Sequence, residues 1–254
     1  VIQSQGRGSS PWWLVVAAAA LQGCFAAGHD RYLTTRRLPK GQGNATVAVR
    51  GLGALGPAVE RGVPRLSLGA PELHARLGLA REVDVGVKAG AGFTWSSSYF
   101  LLGGDMKFRV VESGALSAAV APLVQYSQSE ERWHSDEGTL RSAYRHWLFD
   151  APLVLGLELA PSATLVLSPG AMYALDVTVR PPFNRVLDST RVSGFAPRLG
   201  LGLELWTDHR IAIHPELTAV MPLRDHGRRV VYTAGLGFRF GGGGHAVADL
   251  PQPR

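Results

Sequence analysis

From residue 45 to residue 240 apolar and non-apolar residues alternate almost one for one, the period of a β-strand whose two faces meet different surroundings. In 84–95, Val85, Val87, Ala89, Ala91, Phe93 and Trp95 share one face, and Asp84, Gly86, Lys88, Gly90, Gly92 and Thr94 share the other. The same dyad recurs in 105–110, 147–159, 195–205, 209–221 and 230–240. It predicts ten strands, at 45–54, 64–80, 84–95, 100–111, 115–127, 144–159, 163–178, 194–206, 210–222 and 229–240, with eight or twelve as the alternatives. A change of phase at Gly69-Ala70-Pro71 predicts a bulge in the second. Pro122, Pro152, Pro169, Pro197, Pro215 and Pro222 fall inside predicted strands. Each must forfeit a ladder bond or mark an irregularity.

Connections alternate in length. Residues 81–83, 112–114, 160–162 and 207–209 read as tight turns, and 55–63, 128–143, 180–193 and 223–228 as longer loops. Short turns at one end and long loops at the other are the habit of transmembrane barrels, and most strands reach the ~9–11 residues that a tilted membrane crossing needs.

The second face separates a membrane barrel from a soluble one. One face of nearly every strand is aliphatic or aromatic, while the other carries Gly, Ala, Ser or charge. Parity turns Arg50, Arg76, Lys88, Lys107, Arg109, Arg198 and Arg239 inward, together with Asp84, Asp105, Glu158, Asp176, Glu204 and Glu216. A nearly charge-balanced lumen inside an apolar exterior is the reverse of a lipocalin-like soluble barrel. Phe93, Trp95, Trp147, Phe149, Phe195, Phe238 and Phe240 sit toward strand ends, as interfacial girdles would. The expected fold is therefore all-β: a single antiparallel up-and-down transmembrane β-barrel over 45–240.

Composition agrees with a barrel. Glycine is 31 of 254 residues and charged residues are 18%, below the roughly 25% of an average soluble domain. The formal charge of +6 is spread among acidic residues without a like-charge block, which argues against nucleic acid. A single cysteine, Cys24, excludes an internal disulfide, and no Cys/His spacing fits a zinc site. Residues 1–23 read as a signal peptide: Pro11 to Leu21 is an apolar run of eleven, too short for the ~20 of a membrane-spanning helix. Residues 24–44 read as a polar N-terminal tether, and 241–254, opening on four glycines, as a flexible tail.

Two motifs carry a family resemblance. Leu21-Gln22-Gly23-Cys24 resembles the lipobox of bacterial lipoproteins, which implies lipidation of Cys24, and Phe25 after it implies sorting to the outer membrane. Thr233-Ala234-Gly235-Leu236-Gly237-Phe238-Arg239-Phe240 resembles the β-signal of bacterial outer-membrane β-barrel proteins. There Thr233, Gly235, Phe238 and Phe240 stand at the motif positions, and the resemblance implies recognition by the barrel assembly machinery. It also implies an outer-membrane location with both termini in the periplasm.

Chemistry is less defined. Gly51 to Gly56 spells GxGxxG, but no helical stripe follows to build a dinucleotide site. Barrel enzymes that act on lipid need a His with a Ser or carboxylate partner. The candidates are His134-Ser135-Asp136, His146 and Asp225-His226. The sequence implies no cofactor or metal. Three functions stay open: a structural or narrow, closed channel with a charge-paired lumen, an outer-membrane deacylase- or acyltransferase-like enzyme, and a periplasmic lipid-binding lipoprotein barrel.

Overall fold

The computed structural model describes residues 32–36, 38–55, 66–68, 71–93, 97–135, 138–180, 188–207, 210–221 and 230–241. Within these, side chains at 52–55, 66–68, 97, 131–135, 138–142, 144, 176–180 and 188–192 are not described. The signal segment, Cys24, Trp95, Asp136, Asp225-His226 and the tail beyond Gly241 lie outside the described residues.

Thirteen hydrogen-bonded segments join end to end into ten antiparallel strands. They are β1 (Gly43–Leu55), β2 (Leu66–Leu68 with Glu72–Ala80), β3 (Val83–Phe93), β4 (Ser97–Ser113) and β5 (Leu116–Val120 with Leu123–Ser135). The remainder are β6 (Gly138–Asp150 with Leu153–Ala160), β7 (Ala163–Arg180), β8 (Asp188–Trp206), β9 (Ile211–Val220) and β10 (Val230–Gly241). No helix occurs among the described residues. Each strand pairs with its sequence neighbours, and β1 pairs with β10 from Asn44↔Gly241 to Leu55↔Val230. The sheet therefore closes on itself, as an up-and-down barrel of ten strands.

The register fixes the dimensions. Stepping between paired residues from Ser193 through Leu175, Trp147, Tyr126, Leu102, Ala89, Leu73, Val47, Phe238 and Ile213 returns to β8 at Leu205, twelve residues from the start. With strands about 4.8 Å apart and about 3.3 Å per residue, this stagger tilts them by roughly 40° and gives a backbone radius of about 10 Å.

The irregularities have local causes. β2 is interrupted at 69–71, and its register against β1 changes by one residue across the break, from Gly51↔Leu68 to Ala48↔Glu72. Gly69 and Ala70 of the expected bulge lie outside the described residues, and a bulge there would account for the change. The prolines fall largely in one row. Ala121-Pro122 interrupts β5 and Ala151-Pro152 interrupts β6, opposite Gly170-Ala171 of β7, and Ala171 pairs with Pro197 of β8. A Cβ at Gly170 would lie 2.8 Å from the Pro152 Cα, so only glycine admits the fully buried proline there. Proline carbonyls still accept bonds at this row, from the Met106 and Ala121 amides at 3.0 and 3.1 Å. One shared kink accommodates most of the lost ladder bonds. Pro169 and Pro215 lie within continuous strands, and Pro222 is outside the described residues.

The loop expected at 128–143 is instead strand on both sides of a tight connection. β5 continues to Ser135 and β6 begins at Gly138, paired down to Ser135↔Gly138. β7 and β8 likewise extend to Arg180↔Asp188. One side of the barrel thus projects two long hairpins beyond the rest, opposite the end with the short turns.

The exterior is apolar. Val87 is 60% exposed and Phe195 62%, whereas Lys88, next to Val87, is 3% exposed. Tyr126 and Trp147 touch at 4.9 Å between ring centroids, Phe149 and Tyr173 at 6.4 Å, and Tyr173 and Phe195 at 5.0 Å. These rings form a continuous arc across β5 to β8 where the long hairpins begin, while Phe238 and Phe240 lie exposed toward the short-turn end of β10. A Val47→Cys/Phe238→Cys variant, made on a Cys24→Ala background, will be joined within one chain by a short thiol crosslinker. A sheet left open between β1 and β10 would give no intrachain product.

Candidate functional site

The inward positions carry ion pairs, three of which skip over an intervening strand. Lys107 on β4 reaches Asp84 on β3 at 2.6 Å, and Arg198 on β8 reaches Asp150 on β6 at 2.7 Å. Arg76 on β2 pairs with Asp105 on β4, and Arg239 on β10 with Glu204 on β8. Glu72 gathers Arg50, Lys88 at 2.8 Å and His74 at 3.3 Å. Arg50 also donates to the Tyr99 hydroxyl at 3.0 Å, and Arg198 to Ser168 Oγ at 3.2 Å. Glu216 lies 4.0 Å from Arg198 and accepts from Thr218. Arg109 pairs with Glu112 at 2.7 Å, at the short-turn rim.

The expected lumen residues Arg76, Lys88, Lys107, Arg109, Arg198, Glu204, Glu216 and Arg239 thus all take part in this network. Glu158 is partly exposed on the inward parity of β6, and the side chain of Asp176 is not described. Glu72 and Asp150 are central members that the sequence did not single out. Asp150 shares the parity of Glu158, so its inward position was available from the alternation. Glu72 follows the phase break at Pro71 but shares the parity of Arg76, so its inward position was available from the alternation as well. Two apolar clusters also line the interior: Leu123, Leu148, Met172, Ala196 and Val220 form one. Ala119, Ala121, Val154 and Val166 form the other, with Leu33.

Leu33 belongs to the stretch expected to be a polar tether. Over residues 32–36 and 38 that stretch lies inside the barrel. Tyr32, Leu33, Thr34, Thr35 and Leu38 are each no more than 5% exposed. The chain turns at Pro39–Gln42, where the Gln42 amide donates to the Pro39 carbonyl at 2.9 Å and the Gly41 amide to the Gly78 carbonyl at 2.8 Å. Gly41 adopts φ 79° there, a conformation that glycine takes without strain. From this rim the segment runs up the lumen.

Its backbone is held by wall side chains. Lys107 Nζ donates to the Thr34 and Arg36 carbonyls at 3.2 and 2.8 Å, and Arg239 to the Tyr32 carbonyl at 2.6 Å. The Tyr32 amide donates to Glu216 Oε2 at 2.5 Å, and the Thr34 hydroxyl donates to Glu204. Arg36 donates to Thr164 Oγ1 and the Pro161 carbonyl, and lies 5.6 Å from the Trp206 ring. Wall glycines make the room. A Cβ at Gly237 would fall 2.7 Å from the Tyr32 ring, one at Gly78 2.5 Å from the Pro39 carbonyl, and one at Gly156 against Thr35. No run of similar residues announces this segment, because every partner is distant in sequence.

The β-signal residues occupy both faces of the closing strand. Thr233 is fully buried inside, Phe238 and Phe240 face out, and Gly235 pairs with Arg50 of β1. Of the candidate catalytic residues, only His146 has a described side chain. It stands on the inner face across from Ser127 and Asp176, but its Nε2 takes no hydrogen bond from Ser127.

No family model matches the chain, and no curated protein does. Among solved structures, the outer membrane protease OmpT from Escherichia coli superposes with a TM-score of 0.51 at 10% identity, over 82% of this chain and 100% of that one. The fold is that of an outer-membrane-type β-barrel. The translocator domain of the autotransporter NalP from Neisseria meningitidis aligns at a TM-score of 0.45 and 10% identity, covering 90% of this chain and 93% of that one. Ail of Yersinia pestis aligns at 0.37 and 11%, covering 80% and 100%.

Burying ions without partners costs far more than losing an exposed pair. Arg198→Ala, which strands Asp150, will lower the unfolding free energy by about 3–5 kcal/mol in a urea titration in lipid. Arg81→Ala, at the exposed Arg81–Glu82 pair, will lower it by less than about 1 kcal/mol. Equal small losses would contradict a buried, ion-paired lumen.

Proposed function

We propose that the chain is a closed barrel lipoprotein of the bacterial outer membrane, anchored through lipidated Cys24 and serving a structural role rather than solute passage. The observation that carries this reading is the filled lumen. Long ion-paired side chains project into the interior, and residues 32–36 and 38 occupy its short-turn end. A backbone radius of about 10 Å leaves little room once such side chains point inward.

The apolar exterior and the arc of aromatic rings support a hydrocarbon environment, because a soluble barrel would not expose Val87, Phe195 and Leu201 around its circumference. The short-turn end faces the periplasm in this reading, which puts Pro39–Gln42 and the end of β10 on that side. The β-signal at Thr233–Phe240 supports delivery by the barrel assembly machinery. Residues 1–23 act as the signal peptide and 241–254 as a periplasmic tail. An enzymatic role has no assembled nucleophile and base among the described side chains to recommend it.

Purified protein reconstituted in planar bilayers will carry no steady current, and it will migrate differently on a gel before and after boiling. A stable, ohmic conductance would overturn the closed-barrel reading. Cys24→Ala protein will still fractionate with outer membranes, since the wall itself spans. Recovery in the soluble periplasm would overturn the transmembrane reading.

A further inference from the structure

Residues 32–36 and 38 belong to no strand, yet the wall grips them closely. The wall recognises both the backbone and the side chains of the segment. The carbonyls of Tyr32, Thr34 and Arg36 accept from Arg239 and Lys107, and Glu216 accepts from the Tyr32 amide. Arg109 adds a longer bond to the Thr35 carbonyl, at 3.4 Å. Among the side chains, the Thr34 hydroxyl donates to Glu204, Arg36 to Thr164 and the Pro161 carbonyl, and the Tyr32 hydroxyl to the Val49 carbonyl at 3.3 Å. Leu33 and Leu38 are buried anchors, and Tyr32 sits edge-on to His74 and His214 at 5.6 and 5.9 Å. Thr35 fits over a glycine.

The wall cations do not need the segment for neutrality. Lys107 has Asp84, Arg239 has Glu204 and Arg109 has Glu112, all on the wall itself. The bonds to the segment use their surplus N–H groups, which water could satisfy at an end open to solvent. The grip therefore outlasts the departure of its occupant. Along the chain the segment is joined to β1 through the glycine-containing turn at the rim, and the Tyr32 hydroxyl donates to the Val49 carbonyl of β1 at 3.3 Å.

We propose that the short-turn end of the lumen is a binding site for an extended peptide, and that residues 32–36 and 38 are its occupant in cis. The ligand class is a polypeptide segment with an aromatic–aliphatic pair, two hydroxyl residues and then an arginine after it, and a second aliphatic five residues beyond the first. A segment of another envelope protein with these anchors would compete with the chain's own.

The test uses full-length protein carrying Cys24→Ala, Thr35→Cys and Gly156→Cys. The Thr35 Cβ lies 3.0 Å from the position of a Cβ at residue 156, so a small shift reaches the ~3.5–4.5 Å of a disulfide. The probe is a fluorescein-labelled synthetic peptide of residues 32–42. A tethered occupant competes at an effective concentration on the order of millimolar, so Tyr32→Ala and Leu38→Ala are added to weaken it. In the reduced state this protein is expected to bind the peptide, and oxidation is expected to abolish binding. Replacing both leucines of the peptide by serine will weaken binding at least about tenfold. Retention of the heat-dependent gel shift verifies that each variant is folded. Absence of binding to the reduced, folded protein would overturn the proposal. Equal binding by the oxidised form, or by the serine peptide, would overturn it too. A bilayer current bears on closure and leaves this result untouched.

Discussion

A sheet edge cannot lie in hydrocarbon, where an unpaired amide or carbonyl costs several kcal/mol. The structure rests on the answer to that constraint, the pairing of β1 with β10. Closure makes every strand a central strand and requires a fixed stagger, here twelve residues around ten strands. Tilt and radius follow from those two numbers. So does the interior to be filled, a cylinder into which half the side chains of every strand project.

Two devices fill it. Where the wall carries long charged residues, arginines, lysines and carboxylates project into the interior and neutralise one another. Such pairs contribute little net stability over an apolar filling, but removing one partner is severe. They therefore act as a set. Where the wall carries Gly78, Gly156 and Gly237, side chains leave a gap, and residues 32–36 and 38 occupy it. The glycines that the alternation marks simply as inward and small are the sockets of the inserted segment. One of them, Gly237, lies within the closing strand, so that strand both seals the wall and receives Tyr32.

Much of the fold was legible in the sequence because strand parity is local. The dyad in 84–95 places Lys88 inside and Val87 outside without knowledge of any partner, and the same holds for Arg198, Glu204 and Arg239. The ten strands and the change of register before Glu72 follow from it. What parity could not supply was anything set by distant partners. The sequence of the β5–β6 hairpin beyond residue 128 is mostly polar, Trp133 and Leu140 aside, so no alternation marks it, and cross-strand pairing alone makes it a strand. The segment Tyr32–Leu38 reads as a tether because its contacts reach Lys107, Glu204 and Arg239, far along the chain. The alignment of Pro122, Pro152 and Pro197 in one row emerges only from the register.

Everything above depends on which face of the wall meets lipid. The most direct measurement is carbene photolabelling of the native protein in lipid vesicles with a hydrocarbon-soluble diazirine, with the labelled residues identified by mass spectrometry. Label on Val87, Phe100, Trp147, Phe195 and Leu201, with none on Lys88, Asp150, Arg198 or Glu204, is the result this structure predicts. Label on the charged set, or none on either face, would contradict it.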